Sequence, residues 1–502
     1  MTTLPTAPSG RALLTALAAS FLLCAGTLAA QTAAPTDSGA SAQAAPSQAA
    51  NASGGAAAAS SGASGDDESM FGSETVTQSQ APADSAPEKG FLKYDQVKLG
   101  GQIKGSFEWS PTWSPAWDGS ASLFSPTSDS ITPDLETRVT ITAKPLTDFG
   151  VNAEFRSQWP FTTTYTDGTT PITVPNIAVW SFYSKFNWQD RVYFSFGKQP
   201  LSWGVSKGAF QPADDIFAVS SAIDLTNTSE EREGPISLKM TVPLTNTDNF
   251  YFLSGIPTPT NGSTTIDPKD VRVGVKAEAG TGNTELGAAA YYSYNDHPRA
   301  LLMGTTGNGD VNVFGEAILK YGSERDFLSY TPTPFPSYSV TTYDSRFFFS
   351  GTTGAYYMNA DNYITVLAQY YYNGEGQDKV SADEAYEYYF ANQSAIDRIH
   401  LGTHYAFLSF TKSQFLTEDL TATVYAISNL SDGSGMVSPS LSWQMFDYMA
   451  LSIGATFTFG PPGSEYIFYG AAVNGSLTTA SFANSKPAAA LNLTLTMSTE
   501  GF

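Results

Sequence analysis

The amino-acid sequence predicts an all-β protein, a transmembrane antiparallel up-and-down β-barrel preceded by a signal peptide and a disordered linker. Three observations lead to this fold class. Apolar and polar residues alternate through most of the chain after residue 99, the connections between alternating runs differ strongly in length, and charge is scarce. Charged residues make up 14% and aromatic residues 13% of the 502 residues. This balance is typical of barrels in an outer membrane.

The alternation is clearest in the run MALSIGATFTF at 449–459. Its odd-numbered residues are mostly large and apolar, whereas its even-numbered residues are small or polar. Successive side chains of a strand point to opposite faces, so each such run has one apolar and one polar side. A soluble β-sandwich alternates as well. Runs of about 10 to 14 residues, which can cross a bilayer at a tilt, and aromatic residues such as Trp159 and Trp443 near strand ends favour the membrane barrel.

Counting the runs gives about 18 strands, an even number that places both ends of the barrel on one side of the membrane. The predicted strands are 99–109, 134–144, 149–158, 176–187, 190–199, 234–243, 248–256, 269–279, 283–294, 309–321, 326–331, 343–358, 361–373, 398–412, 418–429, 435–445, 447–460 and 488–502. The segment 326–331 is short, and loss of one hairpin gives the alternative of 16 strands. Short turns such as 146–148 alternate with long connections such as 200–233, as periplasmic turns alternate with external loops in bacterial barrels.

The N-terminal part of the chain predicts export rather than folded structure. Residues 1–30 resemble a secretory signal peptide, because Arg11 precedes an apolar run that ends in small residues. Cys24 leaves lipidation open as an alternative, although the residue before it is larger than a lipidation site prefers. Residues 31–90 are rich in Ala, Ser, Gly and Pro and predict a disordered periplasmic linker. The barrel is predicted to occupy 91–502.

Charge balance and the scarcity of reactive side chains exclude several functions. Acidic residues number 47 against 25 basic ones, so nucleic acid is not an expected partner. The pair Gly197-Lys198 lacks the second glycine and the hydroxyl residue of a phosphate-binding loop. His400 and His404 are predicted to face the lumen from strand 398–412, roughly 13 Å apart and too far for one metal ion. The sequence therefore predicts no enzyme, no metal site and no cofactor.

Charged residues on the polar faces predict a water-filled lumen with a basic wall. A charge on the lipid face at mid-depth costs about 2–4 kcal/mol, so charges are expected to point inward. The predicted pore-lining residues are Lys104, Glu108, Arg138, Glu154, Arg156, Lys239, Arg272, Lys276 and Glu278. Bases outnumber acids in this set, and most of the acidic excess of the chain falls in the loops and the linker.

The long connection 200–233 is predicted to fold into the pore as a constriction loop. Its candidate residues are Trp203, Asp214, Asp215, Glu230 and Glu231. The hypothesis is that acidic groups on this loop, placed opposite a basic wall, narrow the pore and set up a transverse field. Such a field would sort solutes by size and dipole.

The last strand carries a candidate assembly signal. A terminal aromatic residue, here Phe502, is what the barrel-assembly machinery of outer membranes commonly recognises, and this predicts that machinery as a partner. Leu491, Leu493 and Leu495 place the lipid face on odd numbers, whereas Phe502 is even. The sequence therefore predicts either a bulge near 498–500 or an end of the ladder before the terminus.

Several short motifs resemble porin-like barrels of Gram-negative bacteria and spirochaetes, including the alginate-export-like family. The motifs are GKQPLSWG at 197–204, PADDIF at 212–217, YYYNGEG at 370–376 and ISNLSDGSGMVSPSLSW at 427–443. The resemblance extends over about 91–502, and Lys198 departs from it where arginine is commoner. It implies a diffusion channel or an export pore.

Together these observations predict a porin-like outer-membrane channel, surrounded by lipid, that passes small hydrophilic solutes by passive diffusion. The barrel is expected to act as a monomer or a homotrimer. The alternative is a surface-exposed adhesin or ligand-binding barrel without an open pore, in which the long aromatic loops would carry the function.

Overall fold

The computed structural model describes nine stretches of the chain. They are residues 97–113, 126, 129–167, 170–219, 232–256, 267–331, 337–378, 400–467 and 488–499. In the strand ends at 165–167, 170–172, 330–331 and 337–338 only the backbone is described. The predicted signal peptide, the linker, Glu230, Glu231 and Phe502 lie outside the described residues.

The described chain is built almost wholly of strands. They are β1 Val97–Trp109, β2 Thr112–Trp113, β3 Ile131–Leu146, β4 Phe149–Asp167, β5 Thr170–Trp188, β6 Val192–Lys198, β7 Ile236–Pro243, β8 Asn249–Ile256, β9 Arg272–Thr281, β10 Thr284–Ser293, β11 Arg299–Asn308, β12 Val311–Thr331, β13 Ser337–Asn359, β14 Ile364–Tyr372, β15 His404–Lys412, β16 Leu420–Asn429, β17 Ser434–Phe446, β18 Met449–Phe459 and β19 Ala489–Ser498. The two-residue β2 continues β1 past a break at Ser110 and Pro111, and both pair with β19. The wall therefore has 18 strands.

The sheet closes on itself. Each strand pairs antiparallel with the next along the chain, and β1 pairs with β19 so that Phe107 lies opposite Leu495. Because hydrocarbon offers no hydrogen-bonding partner, a spanning sheet must satisfy every backbone group within itself. Closure does this and leaves no free edge.

The register sorts side chains by face as the alternation predicts. Across β17, β18 and β19, Leu441, Ile453 and Leu493 lie side by side. One residue along, Ser452 and Thr494 lie side by side on the opposite face and are buried. Exposed large apolar side chains thus form the outer surface, while hydroxyl, amide and charged side chains occupy the inner face. Within the described residues, no helix is long and apolar enough to cross a membrane.

The predicted total of 18 strands is confirmed, but one prediction within it is wrong. Residues 326–331 are the end of β12, which continues past a register break between Tyr321 and Phe327. The strand that sequence analysis missed is β11, Arg299–Asn308. Its run of Leu301, Leu302 and Met303 lacks alternation because Leu301 and Met303, on the inner face, are also buried under apolar side chains.

The prediction for the two histidines is also wrong. β15 begins only at His404, and His400 precedes it with a positive φ of 56°. His404 lies on the outer face, where its Nδ1 is 2.6 Å from the hydroxyl of Tyr370. Its neighbour Tyr405 points inward and is fully buried. The two imidazoles therefore do not share a face.

The assignment of faces leads to a stability prediction. Ile453 lies on the outer face near the middle of β18, and we expect Ile453→Lys to lower the free energy of unfolding by about 2–4 kcal/mol, because lipid cannot solvate the charge. Ser440→Lys, one residue along from Leu441 and on the inner face, is the matched control and should cost less than about 1 kcal/mol. Denaturant unfolding of the refolded protein in lipid vesicles, followed by tryptophan fluorescence, measures both. Equal losses of unfolding free energy in the two variants would contradict the assignment of Ile453 to the outer face and Ser440 to the inner face.

Candidate functional site

A loop segment after β6 lies against the inner face of the barrel. We call residues 199–219 the inward loop. It leaves the wall at Gln199, whose side chain donates to Ser237 Oγ at 2.9 Å and is hydrogen-bonded to Ser195. A short 3-10 helix, Asp214–Ile216, forms its inner end. The chain therefore turns from the rim into the barrel instead of projecting away from it.

Two apolar clusters attach the inward loop to the wall. In the first, Trp203, Ala213, Ile216 and Phe217 pack on side chains of β8, β10, β11 and β12, namely Leu253, Ala289, Tyr291, Leu301, Met303 and Ile318. In the second, Phe210 packs on β12, β14, β15 and β16 through Phe314, Leu367, Tyr405, Phe407 and Ile427. The loop thus covers the inner face from β8 to β16. Because these inward side chains are buried under the loop and not exposed to water, many of them are apolar.

A buried carboxylate fixes the backbone of the inward loop. Glu316 of β12 is 1% exposed, and its Oε1 accepts the amides of Val205 and Ser206 at 2.6 and 2.7 Å. Its Oε2 accepts the amide of Ala213 at 3.3 Å. Hydrogen bonds from amides to an ionised acceptor are among the stronger ones in proteins. One wall side chain therefore holds two separate turns of the loop.

Three further groups complete this attachment. Asp214 Oδ1 accepts the amides of Trp203 and Gly204 at 2.5 and 2.7 Å, so the loop is also closed on itself. Lys276 of β9 donates to the carbonyl of Trp203 at 2.8 Å. Gln369 of β14 accepts the amide of Phe210 at 3.1 Å and donates to its carbonyl at 2.6 Å. Hydrogen bonds from β9, β12 and β14 thus fix the path of the loop backbone.

Two glycines allow the loop to approach the wall this closely. A Cβ on Gly204 would overlap the Glu316 carboxylate, and one on Gly208 would crowd Leu367. Gly208 also has a φ of +85°, where a side chain is strained. The glycine of the Trp203-Gly204 motif is therefore needed for the carboxylate contact.

The structure gives the predicted constriction-loop residues different roles. Trp203 and Asp214 are 3% and 9% exposed and form the internal packing of the loop. Asp215 is exposed at the surface and pairs with Arg232 at 2.5 Å, while Arg232 also donates to Gln211 at 2.9 Å. The described acidic groups of this connection are thus each bound to a cation or to backbone amides within the loop and its base.

The predicted pore-lining residues fall into two groups. Lys276 and Glu278 are buried and ion-paired beneath the inward loop, and Arg272 donates to the carbonyl of Ile216 at 3.2 Å. Lys276 and Arg272 therefore bind the loop backbone, and Glu278 pairs with Lys276. Lys239, on β7, lies 5.7 Å from the ring centroid of Tyr251.

The second group lies together on β1, β3 and β4. It consists of Lys104, Glu108, Arg138, Glu154 and Arg156. Lys104 is opposite Glu136 in the register, and Arg138 is opposite Arg156. Glu108 accepts a hydrogen bond from Ser110 at 2.6 Å.

Sequence analysis missed Glu136, whose negative charge makes this group mixed rather than mainly basic. Glu136 binds Arg138 with both oxygens, at 2.6 Å to Nε and 3.3 Å to Nη2. It also lies 4.0 Å from Nη1 of Arg156, whose Nε donates to Glu154 at 2.6 Å. The expected basic wall is thus a row of alternating charges. We call Lys104, Glu136, Arg138, Glu154 and Arg156 the mixed-charge strip.

The ring places the strip and the inward loop on opposite sides. Counting β1 and β2 as one strand, β3 is the second and β12 the eleventh of 18. They are nine places apart, which is half of the ring. β3 carries Glu136 and Arg138, and β12 carries the carboxylate that binds the loop.

A second segment also turns inward, after β18. One helical turn at 465–467 places Glu465 where its carboxylate accepts Tyr405 Oη at 2.7 Å, Asn429 Nδ2 at 2.8 Å and the amide of His400 at 3.0 Å. Phe210 of the inward loop lies against the rings of both Tyr405 and His400. The two inward segments therefore meet at Tyr405. The sequence signal was a single acidic residue in the stretch GPPGSEYI.

Comparisons with known proteins support no family assignment. No family model matches the chain, and no curated protein matches it. Among solved structures, OccK8 (OprE) of Pseudomonas aeruginosa has 10% identity over 82% of this chain and 99% of its own, with a TM-score of 0.45. OccAB4 of Acinetobacter baumannii has 9% identity over 81% and 99%, with a TM-score of 0.44. The outer membrane protein OprD of Pseudomonas aeruginosa has 9% identity over 82% and 95%, with a TM-score of 0.43. Similarity this distant carries no argument about function.

Glu465 leads to a prediction about pH. Burial raises the pKa of Glu465 to about 7, above its usual value, despite the hydrogen bonds it accepts. A raised pKa means that the folded state binds the proton more tightly, so the added stability is present below about pH 4.5 and is lost as the pH rises through 7. Burial lowers the pKa of His400 from 6.5 to about 4, so the contribution of this imidazole to stability is fully present above about pH 6.5 and falls as the pH drops toward 4, opposite to that of Glu465.

We therefore expect the thermal unfolding midpoint of the wild type, taken relative to that of Glu465→Gln at the same pH, to fall between about pH 5 and 8, because the contribution of His400 is common to both proteins. Glu418→Gln, at an exposed turn after β15, is the control and should behave as the wild type. Circular dichroism of the refolded protein measures all three. A pH dependence in Glu465→Gln equal to that of the wild type would contradict the prediction.

Proposed function

We propose that the chain forms a porin-like channel in the outer membrane of a bacterium and passes small hydrophilic solutes by passive diffusion. The observation that carries the proposal is the inward loop. It is bound to one half of the inner wall by Glu316, Lys276 and Gln369. A loop held in this way narrows the lumen without filling it, because its packing contacts lie on only one side of the ring, from β8 to β16.

The remaining part of the wall supports a water-filled passage. The inner faces of β17 to β19 carry hydroxyl and amide groups such as Ser440, Ser442 and Asn492. Those of β1, β3 and β4 carry Glu108 and the mixed-charge strip. Such groups are the usual lining of an aqueous channel. Lys104, Arg138 and Arg156 are accordingly proposed to line the passage opposite the loop.

The proposal assigns the channel no reaction chemistry. Solutes would move down their concentration gradient, and selection would come from the width left by the inward loop and from the charges around it. Among the described residues, no group of three or more His, Cys, Asp and Glu side chains is arranged to hold a metal ion. Linker 31–90 is proposed to lie in the periplasm, and the last strand to engage the barrel-assembly machinery.

Planar-bilayer recording of the purified, refolded full-length protein tests the function. We expect discrete, stable conductance steps in potassium chloride, because a continuous water path crosses the barrel. Protein refolded but heat-denatured before addition is the control and should give no steps. Absence of conductance from folded protein would contradict the channel and favour a binding barrel closed by its loops.

A further inference from the structure

We infer that the mixed-charge strip selects solutes that carry both a positive and a negative group, and that Glu136 is the residue that gives it this preference. The inference rests on the proposed channel function and adds to it a substrate class. The strip has three cations, Lys104, Arg138 and Arg156, and two acids, Glu136 and Glu154.

Glu136 forms ion pairs with both arginines of the strip. Its two oxygens hold Arg138 in a bidentate pair, and it also approaches Arg156. Lys104 lies opposite it on β1. Bidentate pairing fixes the guanidinium plane as well as its charge. Glu136 is therefore paired with Arg138, lies close to Arg156, and is the register partner of Lys104.

The mixed-charge strip is accessible to solutes. The side chains of Glu136, Arg138, Glu154 and Arg156 are 16%, 24%, 22% and 15% exposed, although each is ion-paired. Arg156 is further immobilised, because its guanidinium carbon lies 3.6 Å from the ring centroid of Trp180. The charges therefore stay in fixed places while part of each remains in contact with water. Such a surface can bind a solute without rearrangement of the wall.

The alternating charges of the strip favour solutes that carry both a positive and a negative group. A solute with a single charge is attracted by one member of the strip and repelled by the next, so its net gain is small. At distances beyond the screening length, about 8 Å at physiological ionic strength, the alternating charges largely cancel. A zwitterion can align its carboxylate with an arginine and its ammonium group with Glu136 or Glu154. Electrostatic complementarity of this kind acts mainly on selectivity.

Two variants with opposite charge changes test the inference. The wild-type channel should be weakly selective between potassium and chloride. Glu136→Gln should shift the permeability ratio about two- to threefold toward the anion, and Arg138→Gln about as far toward the cation. The double variant should return close to the wild type, and Glu418→Gln is the control for loss of an acid elsewhere. Reversal potentials in a salt gradient give these ratios.

Uptake of labelled solutes into proteoliposomes provides the second readout. Glycine and glycolate have similar size, but glycine is a zwitterion and glycolate an anion. We expect glycine to enter faster in the wild type, and the order to reverse in Glu136→Gln. Glu154→Gln provides a second acid variant if Glu136→Gln does not fold, with the same expected reversal.

The outcomes separate this inference from the proposed function. A folded protein with no conductance contradicts the channel itself. A conducting wild type that is strongly anion-selective, or that passes glycolate faster than glycine, overturns the inference and leaves the channel intact. Shifts of the same sign in Glu136→Gln and Arg138→Gln overturn it as well.

Discussion

The antiparallel pairing of β1 with β19 is the interaction on which the rest of the structure depends. It closes the ring, so every strand has two neighbours and no backbone edge is left for lipid to face. Closure also fixes which residues face inward, because one residue of slip would exchange the two faces of a strand. The mixed-charge strip and the carboxylate of Glu316 both point inward because the register at β3 and at β12 directs these positions to the inner face.

Within that ring, the inward loop covers the inner wall from β8 to β16. The covered part resembles the interior of a soluble protein, with Phe210, Phe217 and Tyr405 packed around buried hydrogen bonds. The described inner faces of β17 to β19 and of β1, β3 and β4 carry small hydroxyls and paired ions instead. A buried carboxylate such as Glu316 is costly unless its hydrogen bonds are made, and three backbone amides make them. The chemistry of the wall is thus set by where the loop lies.

The total of 18 strands is right because a false strand at 326–331 offset the missed β11. The alternation of apolar and polar residues was enough to predict the barrel, because period two is a local property of strands. It failed at β11, where Leu301 and Met303 face a covered wall and the contrast between faces disappears. The roles of Glu316 and Lys276 could not be predicted. An inward charge in a strand has the same sequence pattern whether water or a loop covers it. The pairing of Glu136 with Arg138 could have been predicted, because the two residues share a face two positions apart. Its contact with Arg156 could not, because that contact depends on the register between β3 and β4.

The central claim is that a loop held by Glu316 narrows an otherwise open barrel. The most direct measurement is polymer exclusion, in which single-channel conductance is recorded with neutral polyethylene glycols of increasing size. We expect Glu316→Ala to admit larger polymers than the wild type, because the amides of Val205, Ser206 and Ala213 lose their acceptor and the loop is held less closely to β12. An unchanged size limit, in a variant whose folded barrel is verified by its heat-modifiable mobility on gels, would contradict the claim.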